Sequence, residues 1–469
     1  MKKTGVAFSF TFLALALSSC GGGVSSSNSI ISSSSSIDSA TSSISSEDKD
    51  LLPLNTETDC YSHSFASLGN DVMPITGWCS PIGELITNDQ YKLLAESGLN
   101  SIYGLYEQYT NNKSDVDKSF TYSKENGIAY LPRDTSFGAL IEEEELLKER
   151  IAYYENHDNY EGILITDEPG AKAFSGIAKI VKKLRSLSPR TLAYVNLFPN
   201  YASQGQLENG GSGGETTMGL DYETYVDKFL ATVSPDVLSY DYYPFGHTGD
   251  GLEGYFDQLY VAAEAANKYK IPFWPFIQAC NFGGDSIVPN QQQLDWQVST
   301  SLLYGAKGIQ YFCYSKPLEF GAFDGCFVDE NGGKTAIYDY GKAANEQISR
   351  MDEVLMSSTL VNKIKVGGTP APFLAKEEFV TSSRELEAVT SNGNFLVGTF
   401  DRGGKSSFLV VNNSMEDSNV ATLSFKSKIK ANLIERKATT SVEGTSLEIS
   451  LLPGQSALVE LTNYRQERI

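Results

Sequence analysis

Between residues 56 and 358 short apolar runs alternate with longer amphipathic ones, and this rhythm limits the fold more than any other feature of the chain. The short runs occupy residues 72–78, 101–106, 128–133, 162–167, 191–198, 237–242, 272–279 and 308–314. Each is mostly apolar, as a strand covered on both faces must be. Helical spacing fills the intervals at 88–97, 140–156, 174–187, 222–233, 252–268, 291–305 and 340–355, with a weaker helical pattern at 115–126. Eight strands alternating with eight helices predict parallel pairing and a (β/α)8 TIM barrel. A doubly wound open sheet is the alternative, but it needs a glycine-rich phosphate turn after its first strand. The sequence there is Gly77-Trp78-Cys79-Ser80-Pro81, which is no such turn.

The flanks read differently. Lys2 and Lys3 precede an apolar run over residues 6–17, too short to span a membrane comfortably, and Leu17-Ser18-Ser19-Cys20 resembles a bacterial lipobox. Residues 1–20 are therefore expected to be a lipoprotein signal peptide, with Cys20 lipidated; an ordinary secretory signal is the alternative. Either reading exports the protein, and the first anchors it at the cell surface. Residues 21–55 are dominated by serine and cannot bury enough apolar surface to order, so they read as a flexible tether. Residues 56–358 form the expected barrel. Over residues 359–469 the pattern changes to short alternating runs between turns, at 373–379, 385–390, 395–400, 406–412, 420–425, 431–433, 446–451 and 456–461. That predicts an antiparallel β-sandwich packed on the barrel, with Asn392-Gly393 and Gly403-Gly404 as hairpin turns.

A formal charge of −21 argues against nucleic acid or anionic lipid as a partner and fits solubility. His63, His157 and His247, the only histidines, lack ligand spacing, so neither a metal site nor a Ser-His-Asp triad is expected, and nothing demands a cofactor. Cys60, Cys79, Cys280, Cys313 and Cys326 show no CxxC spacing. They allow one disulfide, Cys60–Cys79 or Cys313–Cys326, or buried free thiols. The glycine-rich stretch Asn209-Gly210-Gly211-Ser212-Gly213-Gly214 lacks the lysine of a phosphate cradle and reads as a mobile loop beside a cleft.

The fourth apolar run ends in Thr166-Asp167-Glu168-Pro169, where proline stops the strand and leaves two carboxylates at its C-terminal tip. In a barrel that end is the catalytic face. The same acids could instead be salt-bridged or cap the following helix. The tetrapeptide at this position resembles the retaining glycoside hydrolases of the large (β/α)8 clan, whose fourth strand ends in Asn-Glu-Pro or a close variant. The resemblance implies that Glu168 is the general acid/base. The clan's second carboxylate, a glutamate ending strand seven, is missing: Phe273-Trp274-Pro275-Phe276-Ile277-Gln278 places an amide there. Three replacements remain open. Asp167 could orient a substrate acetamide, as in hexosaminidases with adjacent acids on strand four. Asp241, ending strand six, could be the partner, with retention expected at about 5 Å separation and inversion at about 6.5–9.5 Å. A loop acid, Glu253 or Glu319, is the third.

Other strand ends carry groups suited to sugars. Trp78, Tyr106, Tyr242, Tyr243, Trp274 and Tyr314 offer flat aromatic faces, and Arg133, Asp134, Asn196, Asn200 and Gln278 offer fixed hydrogen-bonding groups. Any one of these aromatics could equally be core. The combined expectation is a surface-tethered glycoside hydrolase acting on extracellular oligo- or polysaccharides. The alternative is a non-catalytic glycan-binding lipoprotein, a degenerate barrel for which Gln278 speaks.

Overall fold

The computed structural model describes residues 63–69, 71–318 and 323–462. The expected signal, Cys20, the tether, Cys60 and Glu319 lie outside them. Eight strands, β1 (Ile75–Gly77), β2 (Ser101–Gly104), β3 (Ala129–Pro132), β4 (Gly162–Asp167), β5 (Leu192–Leu197), β6 (Leu238–Tyr240), β7 (Phe273–Gln278) and β8 (Ile309–Phe312), form one sheet in the order β3-β2-β1-β8-β7-β6-β5-β4. Every pairing in it is parallel. Parallel bridges Tyr130–Tyr160 and Arg133–Leu164 join β3 to the β4 segment and close the ring. Around it lie α1 (Asn88–Glu96), α2 (Tyr109–Glu125), α3 (Phe137–Leu140), α4 (Glu144–Glu155), α5 (Phe174–Leu187), α6 (Gln204–Asn209), α7 (Tyr222–Val233), α8 (Tyr255–Tyr269), α9 (Gln291–Leu303) and α10 (Ala336–Met356). The (β/α)8 barrel predicted from the alternation is present.

Period-two alternation divides each strand between two cores. Ile102, Tyr130, Ile163, Val195 and Ile277 point outward under the helices, while their neighbours Tyr103, Leu131, Leu164, Tyr194 and Phe276 fill the barrel. Helix ends are set locally. Asn290 and Gln293 make a capping box at α9, and the Asp221 carboxylate accepts from the Thr224 N–H at α7. The segment at 63–69 packs against the start of the barrel: His63 and Phe65 lie 6.0 and 5.8 Å from the Trp274 ring, and Glu161 accepts from the Ala66 and Ser67 amides at 3.1 and 2.7 Å.

After α10, seven strands build one antiparallel sheet: β9 (Thr359–Val366), β10 (Leu386–Ser391), β11 (Phe395–Arg402), β12 (Lys405–Asn412), β13 (Asn419–Ile434), β14 (Thr439–Leu451) and β15 (Ser456–Leu461). The register of β13 slips between Ser424 and Ile429, so its first half pairs with β10 and its second with β15. The sheet folds there into a sandwich over Leu386, Phe395, Val397, Phe408, Val410 and Leu423. The opposite faces of β11 and β12, through Leu396, Leu409 and Val411, join the barrel's outer core. Two expected features differ. Residues 373–379 are not a strand: Phe373 and Phe379 meet edge to face, and Phe373 stacks at 4.4 Å on Phe256 of α8, so side-chain packing holds that segment. Asn392-Gly393 is not a hairpin, because β10 pairs with β13 rather than β11. Gly403-Gly404 is one, closing the Arg402–Lys405 pair with both glycines at positive φ (58° and 87°).

Candidate active site

The tip of β4 is built by the sequence that stops it. Exposure rises along the strand, and Glu168 follows at φ 46°, a left-handed conformation uncommon for a residue with a side chain. Its N–H still donates to the Asn196 carbonyl at 2.9 Å, so the ladder to β5 holds while the backbone turns away. Pro169 and Gly170 complete the turn, with the Tyr225 hydroxyl of α7 donating to the Pro169 carbonyl at 2.7 Å. A Cβ on Gly170 would lie 2.2 Å from the Gly210 nitrogen, so only glycine lets the two turns touch. The glycine-rich stretch expected to be mobile is thus packed. Its preceding residues form α6, and Glu208 accepts from the amides of Thr217, Met218 and Gly219.

Glu168 opens into a cavity of about 980 Å³ walled by the connections after β5, β6 and β7 and touched by Leu374 from the segment between β9 and β10. Asp241, one residue past β6, lines the same cavity. It is buried, and its Oδ1 has no hydrogen-bond partner. Tyr242 and Tyr243 form one wall, and Tyr201, half exposed, packs edge-on at 5.1 Å from Tyr242. Asp167 stands behind this pair and does not line the cavity. The Asn196 amide donates to its Oδ1 at 3.1 Å and also reaches Asp241, and the Arg133 charge favours its ionised form.

All three acids hold their protons more tightly than usual. Glu168 is pushed well above the ordinary carboxylate range by burial, then by the charge of Asp241, then by that of Asp167. Burial is also the largest cause for Asp241, followed by Asp167. Asp167 rises through burial against the opposing pull of Asn196 and Arg133. Neighbouring buried carboxylates resist ionising together, so ionisation of one favours the proton on another.

Other solved structures share this fold. Matched to a family 42 β-galactosidase from G. stearothermophilus, the chain is covered over 86% of its length and the enzyme over 100%, with TM-score 0.55 and 11% identity. A family 39 glycoside hydrolase from Bacteroides cellulosilyticus WH2 matches over 84% of this chain and 82% of its own at TM-score 0.48 and 10% identity. At 11% identity the first of these likenesses shows a shared fold alone. No family model matches the sequence, and no curated protein does.

The remaining residues proposed from sequence divide by place. Tyr242 and Tyr243 face the cavity, as does Asn200, whose amide donates to the Gly254 carbonyl at 2.9 Å. Arg133 and Asn196 sit behind it, beside Asp167. Trp274 belongs to the other end of the barrel, against His63 and Phe65, because it lies near the start of β7 rather than at its end. Trp78 packs edge-on against Phe276 at 5.5 Å in the core, and Tyr314 is buried against Phe327. Tyr106 lies off the cavity, its hydroxyl accepting from the Leu318 amide at 3.2 Å. Asp134 is buried in an ion pair with Arg150. Both amide hydrogens of Gln278 are used: it accepts from the Phe245 N–H at 2.9 Å and donates to the carbonyls of Phe245 and Ile287 at 3.0 and 2.9 Å. An amide fits this spot because a carboxylate could not donate to two carbonyls. Glu253 lines the cavity but is exposed.

Sequence reading missed the polar chain beneath the acids. Tyr103 and Tyr194 both donate to Gln310 Oε1 at 2.7 Å, Gln310 donates to Ser239 at 2.9 Å, and Ser239 donates to Asn196 at 2.9 Å, continuing to Asp167. These residues come from four strands, so no local motif could announce them. Tyr201 was within reach, as an aromatic in the loop after strand five; Leu374 carried no signal.

Proposed function

We propose that this protein is a glycoside hydrolase in which Glu168 is the general acid/base and Asp241 the second carboxylate. The observation that carries the reading is that these two side chains alone of the three acids line one cavity, with burial and neighbouring charge holding the proton of Glu168. Glycosidic cleavage needs an undissociated acid to protonate the leaving oxygen and a carboxylate to act on the anomeric side. Glu168, whose proton is held by burial and by the charges of Asp241 and Asp167, fits the first role. Asp241, which lines the same cavity and has one buried oxygen without a hydrogen-bond partner, fits the second.

Asp167 is a positioning residue: it does not line the cavity and is held by the Asn196 amide beside the Arg133 charge, which disfavours the substrate-assisted route. A cavity at the upper end of the usual ligand-site range, with tyrosines on one wall and acids at its base, suits a pyranoside extended by further sugars. The galactosidase sharing the fold makes β-galactosides the first substrates to try. We further propose that lipidation of Cys20 tethers the barrel at the cell surface, where its substrates would be extracellular glycans. Labelling with a fatty-acid probe, present in the native chain and absent in Cys20→Ala, tests the anchor.

A panel of aryl glycosides with and without a 2-acetamido group tests the chemistry. Turnover of plain glycosides, lost in both Glu168→Gln and Asp241→Asn, is expected. Activity confined to acetamido sugars would transfer the partner role to Asp167. Glycan binding without turnover of any of them would make the protein a binder rather than an enzyme.

A further inference from the structure

The cavity that holds Glu168 and Asp241 is bounded also by the starts of α7 and α8 and by Leu374, and its charge is one-sided. Seven acids line it, and among the described residues no lysine, arginine or histidine does. The chain carries 58 acids against 37 lysines and arginines, so composition alone does not strip a wall of cations. Asp241, 7% exposed, keeps one buried oxygen without a hydrogen-bond partner, so folding leaves an acceptor of this cavity unmet. Three further acids are engaged by the protein itself. Asp221 accepts from the Thr224 amide at 2.8 Å, Glu223 pairs with Lys376 at 2.6 Å, and Asp285 accepts from the Thr248 amide and hydroxyl at 3.1 and 2.6 Å. Glu253 and Asp257 remain: among the described residues no hydrogen bond or ion pair reaches either carboxylate.

These two acids share one side of the cavity. Glu253 is exposed and Asp257 half-buried, and both lie within electrostatic reach of the Tyr242 hydroxyl, which is committed to the Gly251 carbonyl at 2.6 Å. Asp257 sits in the first turn of α8 and Val261 one turn later on the same helix face, also lining the cavity. Leu374 reaches this side from the sandwich. Its segment is fixed there because Phe373 stacks at 4.4 Å on Phe256 and Lys376 holds Glu223. Burial pushes the Asp257 carboxyl up, and the charge that opposes it comes from Lys376, already bound to Glu223. A half-buried carboxylate without a counter-ion of its own, beside aliphatic side chains, gains most from a ligand that brings a positive charge on an apolar frame. A hydrogen bond from an ammonium is about twice as strong as one from a hydroxyl. A sulfate or uronate would instead meet like charges on every side.

We propose, resting on the glycoside hydrolase reading above, that this side of the cavity is a subsite for a sugar bearing a free amine. Asp257 and Glu253 hold its ammonium, while Val261 and Leu374 meet the C–H face of the ring. The substrate class is then an amine-bearing glycan, and glycans carrying uronate or sulfate groups are excluded.

The test measures binding by calorimetry to the full chain carrying Glu168→Gln, at about pH 6, where a sugar amine is protonated. The probes are three β-1,4-linked trisaccharides, of glucosamine, of N-acetylglucosamine and of glucuronate. The glucosamine trimer is expected to bind at least about tenfold more tightly than the N-acetylated one, and the uronate trimer not to bind. Adding Asp257→Asn should erase that advantage and leave the N-acetylated trimer's affinity nearly unchanged. Should that variant not fold, Glu253→Gln takes its place, together with a steep fall of the advantage from low to high salt. Equal or tighter binding of the N-acetylated trimer, binding of the uronate trimer, an advantage that survives loss of the carboxylates, or no binding of any trimer would overturn the subsite. Turnover of aryl glycosides by the native enzyme judges the hydrolase reading separately. Turnover without a preference for the amine sinks the subsite alone, and amine-selective binding without turnover sinks the hydrolase reading alone.

Discussion

At the scale of single residues, two acids and one amide carry the account. A carboxyl whose folded pKa lies above its unfolded value takes up a proton on folding. Its contribution is fully present below the unfolded value of about 3.9 for aspartate and is lost as pH rises toward the folded value. Asp241 is in that position, so Asp241→Asn is expected to raise Tm at pH 7 to 8, by an increment that vanishes near pH 4. Each pH unit inside the window corresponds to about 1.4 kcal/mol, and thermal melts across pH read it directly. Asp167 raises Glu168 through its charge, so Asp167→Asn should move the alkaline limb of kcat/KM to lower pH. An unmoved limb would mean that Asp167 is not ionised beside it. Gln278→Glu is expected to destabilise by about 1–3 kcal/mol in denaturant melts without adding activity, since it sets a carboxylate against the carbonyls of Phe245 and Ile287. Glu168 was legible from sequence because proline stops its strand. The fate of Trp274 was not: which end of a strand a residue occupies depends on where pairing begins, and β7 starts at Phe273.

At the scale of elements, the turn between β4 and α5 is set by its contact with the end of α6. Gly170→Ala should force a backbone shift at the residues joined to Glu168. Loss of kcat with a far smaller change in Tm is expected, whereas a wild-type kcat would show that the turn does not position the acid. The barrel elements were readable because two periods, 2 and 3.6, alternate over most of the chain. The failures have physical causes. The stretch at 373–379 is apolar at both ends, but its two phenylalanines make ring contacts with each other and, through Phe373, with α8 instead of pairing as a strand. Strand β9 alternates too weakly to stand out, and its identity comes from pairing with β11.

At the scale of the whole molecule, the sandwich and barrel share a core and a buried ion pair. Arg436 reaches Asp295 of α9 at 2.5 Å, with 15% and 2% of the two side chains exposed. Burial pushes the Asp295 carboxyl up and the Arg436 charge opposes it. Arg436→Met should therefore cost about 3–5 kcal/mol by stranding the aspartate, measured as a fall in the denaturation midpoint of one cooperative transition. That shared core was implied by the missing linker near residue 358, while the long-range partners, Arg436 with Asp295 and Trp296 with Asn413, leave no trace in local sequence. The central claim, that Glu168 delivers a proton to the leaving oxygen, is tested most directly by the rate of Glu168→Gln on aryl glycosides of differing leaving-group acidity. A loss of about 10²–10⁴-fold on a poorly activated glycoside, shrinking steeply on a dinitrophenyl glycoside that departs without a proton, is the predicted result. An equal loss on both, or none on either, would contradict it.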